Sequence, residues 1–229
     1  MTAKFILLVT TLLSLSACNK NDAVSDSNVW LPAGLKSYFL FYPGSYWITV
    51  LPGTDFVDSV FIESTRLDTQ AILHPGSREP IGFSEKLTVV YFSPFYGRRY
   101  QIEAFGEPFC RQRGNNLPCF LIVKKNLKGN TDTVLQSSTI AYYPFEKDRI
   151  LLAQARGTDI LFATPVEGNY VQADSSYSNV WKITVNLDQT EQNQLSVRHF
   201  APGIGQLRWQ VPEFGFNWVV TRYRVKQSP

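Results

Sequence analysis

The feature that most narrows the folds open to this chain is strict apolar–polar alternation along several short stretches. Between Val180 and Leu187, Trp181, Ile183, Val185 and Leu187 share one face, while Lys182, Thr184 and Asn186 share the other. A repeat of two is that of an extended strand, whose successive side chains point to opposite faces. One polar face marks a half-buried antiparallel strand rather than a doubly covered parallel one. Leu207-Arg208-Trp209-Gln210-Val211 repeats the pattern, and Trp218 to Tyr223 does so less cleanly. The same reading predicts strands over 46–51, 57–65, 86–92, 99–105, 120–125, 131–136, 139–143, 150–154 and 159–163. Between them stand turn residues: Pro52-Gly53, Pro75-Gly76, Gly97, Gly129-Asn130, Gly157, Gly168-Asn169 and Pro202-Gly203. Amphipathic helical spacing is scarce, and only 188–195 (DQTEQNQL) reads as a short helical turn or else a loop. The expected fold class is all-β: a single antiparallel domain with little helix, built as a strongly curved sheet or half-barrel, or as a sandwich.

The amino terminus obeys different rules. Residues 1–18 read MTAKFILLVTTLLSLSAC, with a lone cation at Lys4, an apolar run from Phe5 to Leu15 and then Leu15-Ser16-Ala17-Cys18. A run of about 11 residues is too short to cross a bilayer as a helix, which takes about 20, and it has the build of a secretory leader. This segment resembles a bacterial lipoprotein signal peptide ending in its lipobox. The plainer alternatives are a secretory signal without lipid and an N-terminal anchor helix. The resemblance implies that residues 1–17 are removed and that Cys18, lipidated with fatty acyl chains, becomes the first mature residue. Two or more acyl chains anchor durably where one does not. Residues 18–28 are polar and aperiodic, the composition of a flexible tether, and 29–229 is long enough for one substantial β-domain.

Two further segments carry a second resemblance. One is Tyr38-Phe39-Leu40-Phe41-Tyr42-Pro43-Gly44-Ser45-Tyr46-Trp47-Ile48; the other contains Ala201-Pro202-Gly203-Ile204-Gly205-Gln206-Leu207-Arg208-Trp209. They resemble motifs of a widespread, uncharacterised group of Bacteroidota lipoproteins. The likeness covers about 45 residues at the two ends, and the cysteine-bearing middle lies outside it. It implies attachment to the outer membrane and a curved antiparallel sheet like the half-barrel of periplasmic lipoprotein carriers. Asn19-Lys20-Asn21-Asp22 matches only partly the acidic signal that this phylum links to surface export, so both the periplasmic and the cell-surface side stay open. Read physically, Pro43-Gly44 suits the centre of a type II turn, and Gly205 suits a bulge or a close backbone approach. The Gly-x-Gly at 203–205 lacks the third glycine and the helix of a dinucleotide site.

With Cys18 taken by lipid, Cys110 and Cys119 are left as a pair in an oxidising compartment, where disulfides persist. Folding 110–119 about Gly114-Asn115 sets the two opposite each other, with Cα atoms about 4.5 Å apart, inside disulfide range. Pro118 cannot donate at its hydrogen-bonded position, so a longer irregular loop is the alternative. The bridge is expected to be structural, since a redox pair would show Cys-x-x-Cys spacing.

Catalytic constellations are thin. The chain has 2 histidines: His74 is expected in an exposed turn and His199 in a buried, hydrogen-bonded place. No nucleophile elbow, zinc-binding helix, calcium loop or phosphate loop occurs, and neither a metal nor a cofactor is implied. Glu103 and Glu107 are the nearest thing to a glycosidase carboxylate pair. A net charge of +3 spread over scattered residues, with Arg98-Arg99 and Lys124-Lys125 only as pairs, argues against nucleic acid as a partner. Trp47, Trp181 and Trp209 are expected in the core. The stretches 92–96 (FSPFY) and 141–145 (AYYPF) are candidate aromatic platforms or cavity walls. Asp58-Ser59-Val60 and Asp132-Thr133-Val134 match the O-glycosylation sequon of Bacteroidota, with Thr133 the better candidate and Ser59 the weaker.

The functional expectation is a non-catalytic binding or carrier module that is held at the membrane through Cys18 and takes a small apolar or glycan ligand. Alternatives are a structural or interaction protein of the outer membrane, whose protein partner the sequence does not identify, and a glycan-active enzyme. An apolar cavity distinguishes the carrier from a scaffold, which would have a filled core and an exposed aromatic patch.

Overall fold

A computed structural model of the chain describes residues 28–74, 76–107, 119–145, 147, 150–153, 159–186 and 195–228. The leader, Cys18 and its tether, Cys110 and the 188–194 stretch lie outside the described residues. Strands dominate. They are β1 (Tyr46–Val50), β2 (Val57–Leu73), β3 (Pro80–Ser93), β4 (Arg98–Glu107), β5 (Cys119–Leu127), β6 (Val134–Tyr143), β7 (Ile150–Ala153) and β8 (Asp159–Pro165). After a small hairpin of β9 (Tyr170–Gln172) and β10 (Ser175–Tyr177) come β11 (Trp181–Asn186), β12 (Leu195–Ala201), β13 (Gly205–Val211) and β14 (Phe216–Arg224). One open sheet of 12 strands runs β6-β5-β4-β3-β2-β1-β14-β13-β12-β11-β8-β7. Every pairing between these strands whose register is resolved is antiparallel, so the all-β antiparallel expectation holds.

The described residues fall into two compact units. The smaller takes in Ala71–Phe83, the tip of the long β2–β3 hairpin, with Asn28. There His74 is exposed and its ring Nδ1 accepts the backbone N–H groups of Gly76 and Ser77 at 3.2 and 3.3 Å, the turn role expected of it. The larger unit comprises Val29–Gln70 and Ser84–Pro229. Within it the sheet curls until β6, at one edge of the strand order, touches β8 and β11 near the other.

Inside the curl lies a helix that alternation could not announce, α1 (Ala33–Phe39). Pro32 precedes it with the fixed φ that suits a helix start. Its inner side carries Leu35, Tyr38 and Phe39, all buried, and Leu40 ends it in extended backbone. These side chains join Phe120, Ile122, Ile140, Ile183 and Phe200 from the concave face of the sheet in the main core. Burying each such side chain stabilises the fold by about 1.5–3 kcal/mol. The segment is clamped by Glu85, whose carboxylate accepts the Leu31 N–H at 2.9 Å and pairs with Lys36 at 2.8 Å. A second, smaller cluster of Tyr177, Val180, Ala201 and Leu207 lies beneath the β9–β10 hairpin.

The strand that follows α1 is launched as expected. Ser45 donates its N–H to the Tyr42 carbonyl at 3.1 Å across Pro43-Gly44, and Gly44 takes φ +97°, the type II geometry. The two strands expected over 131–136 and 139–143 are one strand, β6. No break falls at Ser137 and Ser138, which pair with Lys125 and Lys124; a bulge lies further along, where Ile122 faces Ala141 and Val123 faces Thr139, leaving Ile140 as the extra residue. A bulge keeps the strand continuous while bending it.

Candidate functional site

Between the concave sheet and α1 the larger unit holds an open-mouthed cavity of about 380 Å³. Its floor is aromatic: Tyr38 and Phe39 from α1, then Phe41, whose ring packs edge-on against Trp47 at 5.2 Å. Gly205 makes this floor possible. It has φ +88°, and a Cβ there would stand 2.9 Å from the Phe41 ring and 3.4 Å from the Tyr38 carbonyl. The close backbone approach expected at Gly205 is what the structure shows.

Trp209 reaches the cavity through a bulge. His199 faces Arg208 and Phe200 faces Gln206, so Leu207 is the extra residue of β13. Simple alternation would set Leu207 and Trp209 on one face. The bulge instead sends Leu207 to the smaller cluster under the β9–β10 hairpin and leaves Gln206 and Trp209 both lining the cavity. Trp47 is core as expected, its indole N–H donated to the Ile204 carbonyl at 2.8 Å. Trp181 is half-buried against Phe145. Trp209 is half-buried in the wall, donating to Ser196 Oγ at 3.0 Å.

The hairpin turns at one end of the unit carry an aromatic rim. Phe95 packs against Phe56 and Trp218, each at 5.5 Å, and Tyr96 lies 4.9 Å from Phe95. Phe95 and Tyr96 are 43% and 46% exposed. The candidate stretch 92–96 therefore does border the cavity. In the other stretch, 141–145, Ala141, Tyr142 and Phe145 are buried in the core and Tyr143 packs against it.

Two cations stand in this aromatic setting. In β5, Phe120 and Ile122 are core residues, so alternation points Lys124 inward too. Its ammonium lies 4.2 Å from the Tyr100 ring centroid and 5.6 Å from that of Trp209. Burial, and secondarily Arg198, pull its pKa down to about 7. Arg198 is in phase with Phe200 on β12 and only 5% exposed. Its guanidinium sits 5.3 Å from the Trp209 centroid and donates to Gln206 Oε1 at 2.9 Å, while its Nε is buried with no hydrogen-bond partner. Burial draws Arg198 down to about 10, with Tyr100 working against that shift, and it remains a cation at neutral pH. The Tyr100 hydroxyl is raised well above its ordinary value, by burial and then by Asp58.

Asp58 is the one carboxylate among the described lining residues. It accepts the Ser93 hydroxyl at 2.6 Å and the Phe95 N–H at 3.1 Å, which ties the rim loop to the second residue of β2. Among the described residues, neither Lys124 nor Arg198 is ion-paired to a carboxylate. Two other carboxylates of the sheet are engaged elsewhere: Glu103 holds Lys86 at 2.9 Å and Lys125 at 2.7 Å, and Glu63 holds Arg99 at 2.6 Å.

The remaining sequence candidates fall outside the cavity. Glu103 alternates with the lining residues Tyr100 and Ile102, so it points to the opposite face; the side chain of Glu107 lies outside the described residues. His199 is buried but not satisfied as expected: its Nδ1 has no partner, and its ring stacks on Tyr170 at 4.9 Å. Burial, then Arg208 and Lys182, lower its pKa to about 4, so it is neutral at physiological pH. Ser59 sits mid-strand opposite Ile48 and is half-buried. Thr133 is exposed in the turn before β6, with its N–H donated to Thr131 Oγ1 at 3.3 Å. Cys119 opens β5, but the Cys110–Cys119 pair lies outside the described residues. Among those residues, no three His, Cys, Asp or Glu side chains converge as metal ligands would. No family model, curated protein or solved structure matches the chain.

Proposed function

We propose that the chain is a lipid-anchored envelope lipoprotein, held at the outer membrane through acylated Cys18, whose β-domain is a non-catalytic binding or carrier module. The observation that carries this reading is the aromatic cavity of about 380 Å³ inside the curled sheet. Its volume lies within the range of about 300–1,000 Å³ typical of small-molecule sites. A protein that served only as a scaffold would be expected to fill such a space with its own side chains and carry its aromatic residues on an outer patch. The lining also supports binding over hydrolysis: Asp58, its one described carboxylate, already accepts bonds from Ser93 and Phe95, and no histidine shares the cavity wall.

The anchor belongs to the proposal on the strength of Leu15-Ser16-Ala17-Cys18 and the polar tether up to Asn28. No helix among the described residues is long and apolar enough to cross a membrane. Native mass spectrometry of the full chain, extracted from its own membrane, tests both halves. The expected spectrum carries an acyl mass on the mature N-terminal cysteine and a co-purifying small molecule released on activation. A clean apo mass under gentle extraction would count against the carrier, and an unprocessed N-terminus against the anchor.

A further inference from the structure

The two cations in the cavity call for a partner that the described residues do not supply. A cation removed from water costs free energy unless an anion or well-placed acceptors compensate. Arg198, 5% exposed, offers one hydrogen bond to Gln206 and keeps a buried Nε unpaired. Among the described residues, Lys124 meets the ring faces of Tyr100 and Trp209 and no carboxylate. Asp58, the one described carboxylate on the cavity wall, is engaged by Ser93 and Phe95, and on the sheet Glu103 is held by Lys86 and Lys125 and Glu63 by Arg99. Position matters as much as charge. Lys124 lies three residues in from Leu127, where β5 ends, and Arg198 three residues in from Leu195, where β12 begins. Both side chains address the Trp209 ring, so an anionic group beside that indole would reach both at once. The Nε side of a guanidinium is half of the fork that binds carboxylate or phosphate with two parallel bonds.

We propose that the cavity's ligand is an anionic amphiphile, with its carboxylate or phosphate head taken by Arg198 and Lys124 and its apolar body lying along Trp209, Trp218 and the Tyr38–Phe41 floor. This rests on the binding-module reading above and adds the charge and shape of what is bound. The aromatic walls account for the body. The unpaired guanidinium edge accounts for the head.

Calorimetry or intrinsic tryptophan fluorescence on the full chain tests it with five probes: dodecanoate, dodecyl phosphate, dodecanol, acetate and inorganic phosphate. The expected result is that at least one of the two anionic amphiphiles binds about ten-fold or more tightly than dodecanol, the gain of a charge-assisted bond made away from water. Acetate and inorganic phosphate should bind far more weakly than the amphiphiles, which assigns the anion to a headgroup rather than to a free ion. Lys124→Met and Arg198→Gln should each shrink the ratio of anionic-amphiphile to dodecanol affinity. Dodecanol bound as tightly as both anionic amphiphiles by the unaltered protein would overturn the inference and leave the carrier reading standing. A free anion bound as tightly as the amphiphiles would overturn it too. No binding by any probe with a chain would remove the carrier reading as well. Because the probe comparison uses the unaltered protein, the test stands even if a variant fails to fold.

Discussion

The Lys124 ammonium and the Arg198 guanidinium face the same indole, that of Trp209, at 5.6 and 5.3 Å from its centroid. Their strands, β5 and β12, lie far apart in the strand order. They meet only because the sheet curls and because the bulge at Leu207 turns Trp209 inward. Like charges held together beside a ring are disfavoured in the empty protein, and that cost becomes available to any anion that enters. This couples the electrostatics of the site to its occupancy.

Lys124 should titrate near neutrality. Its pKa is drawn down to about 7 from an ordinary 10.5, so the folded protein releases this proton well before the unfolded chain does. The resulting destabilisation is complete below pH 7 and is relieved as pH rises from 7 towards 10.5. Between pH 7 and 9.5, the natural protein should therefore gain about 3 kcal/mol relative to Lys124→Met, measured by urea denaturation. Carbon-13 labelling at the lysine Cε should show one resonance with a midpoint near 7.

His199 gives the opposite edge of the pH profile. Burial and its cationic neighbours hold its pKa at about 4, against an ordinary 6.5. The unfolded chain takes up the proton first as pH falls, so stability is full above 6.5 and declines down to 4. The loss should amount to roughly 2–3 kcal/mol. Replacing His199 by Gln should flatten this limb of the curve in denaturation midpoints measured at pH 7 and 4.5.

Gly205→Ala tests the cavity floor. The added methyl would meet Phe41 at 2.9 Å, on backbone held at φ +88°, so both strain and overpacking oppose it. A loss of about 2–4 kcal/mol is expected. Gly44→Ala meets nothing within 4 Å at φ +97° and isolates the backbone cost alone, about 1 kcal/mol or slightly more. Comparing the two urea midpoints separates strain from packing.

Most of the sheet was legible in the chain because period-two patterning survives wherever one face meets solvent, as in Trp181–Asn186. The reading lost its way where a single residue shifts the phase. Leu207 and Trp209 look like neighbours on one face until the bulge opposite His199 separates them, and Ser137 and Ser138, paired with Lys125 and Lys124, join two expected strands into β6. Helix α1 is seven residues long, too short for its 3.6-residue period to stand out, although Leu31, Leu35 and Tyr38 do recur at helical spacing. Lys124, read only as half of a basic pair, and Arg198 are not legible as site residues because alternation with Phe120, Ile122 and Phe200 puts a cation where an apolar residue is the rule. That inward phase was the available signal. What no pattern in sequence can supply is the curl that brings β5 and β12 face to face.

The aromatic rim should matter for binding and little for stability. Phe95 and Tyr96 are 43% and 46% exposed, so truncating either to Ala forfeits only part of a buried ring's contribution, within about 1 kcal/mol. Their contacts with Trp218, at 5.5 and 6.2 Å, nevertheless place them beside one wall of the cavity. An amphiphile seated between Trp209 and Trp218 would leave its outer end against these rings. Affinity for a twelve-carbon amphiphile should fall about three- to ten-fold in Phe95→Ala and Tyr96→Ala, and a shorter eight-carbon homologue should be affected less. If the two chain lengths responded equally, the rim would have no contact with the ligand body, and the amphiphile would have to sit wholly beneath Trp218.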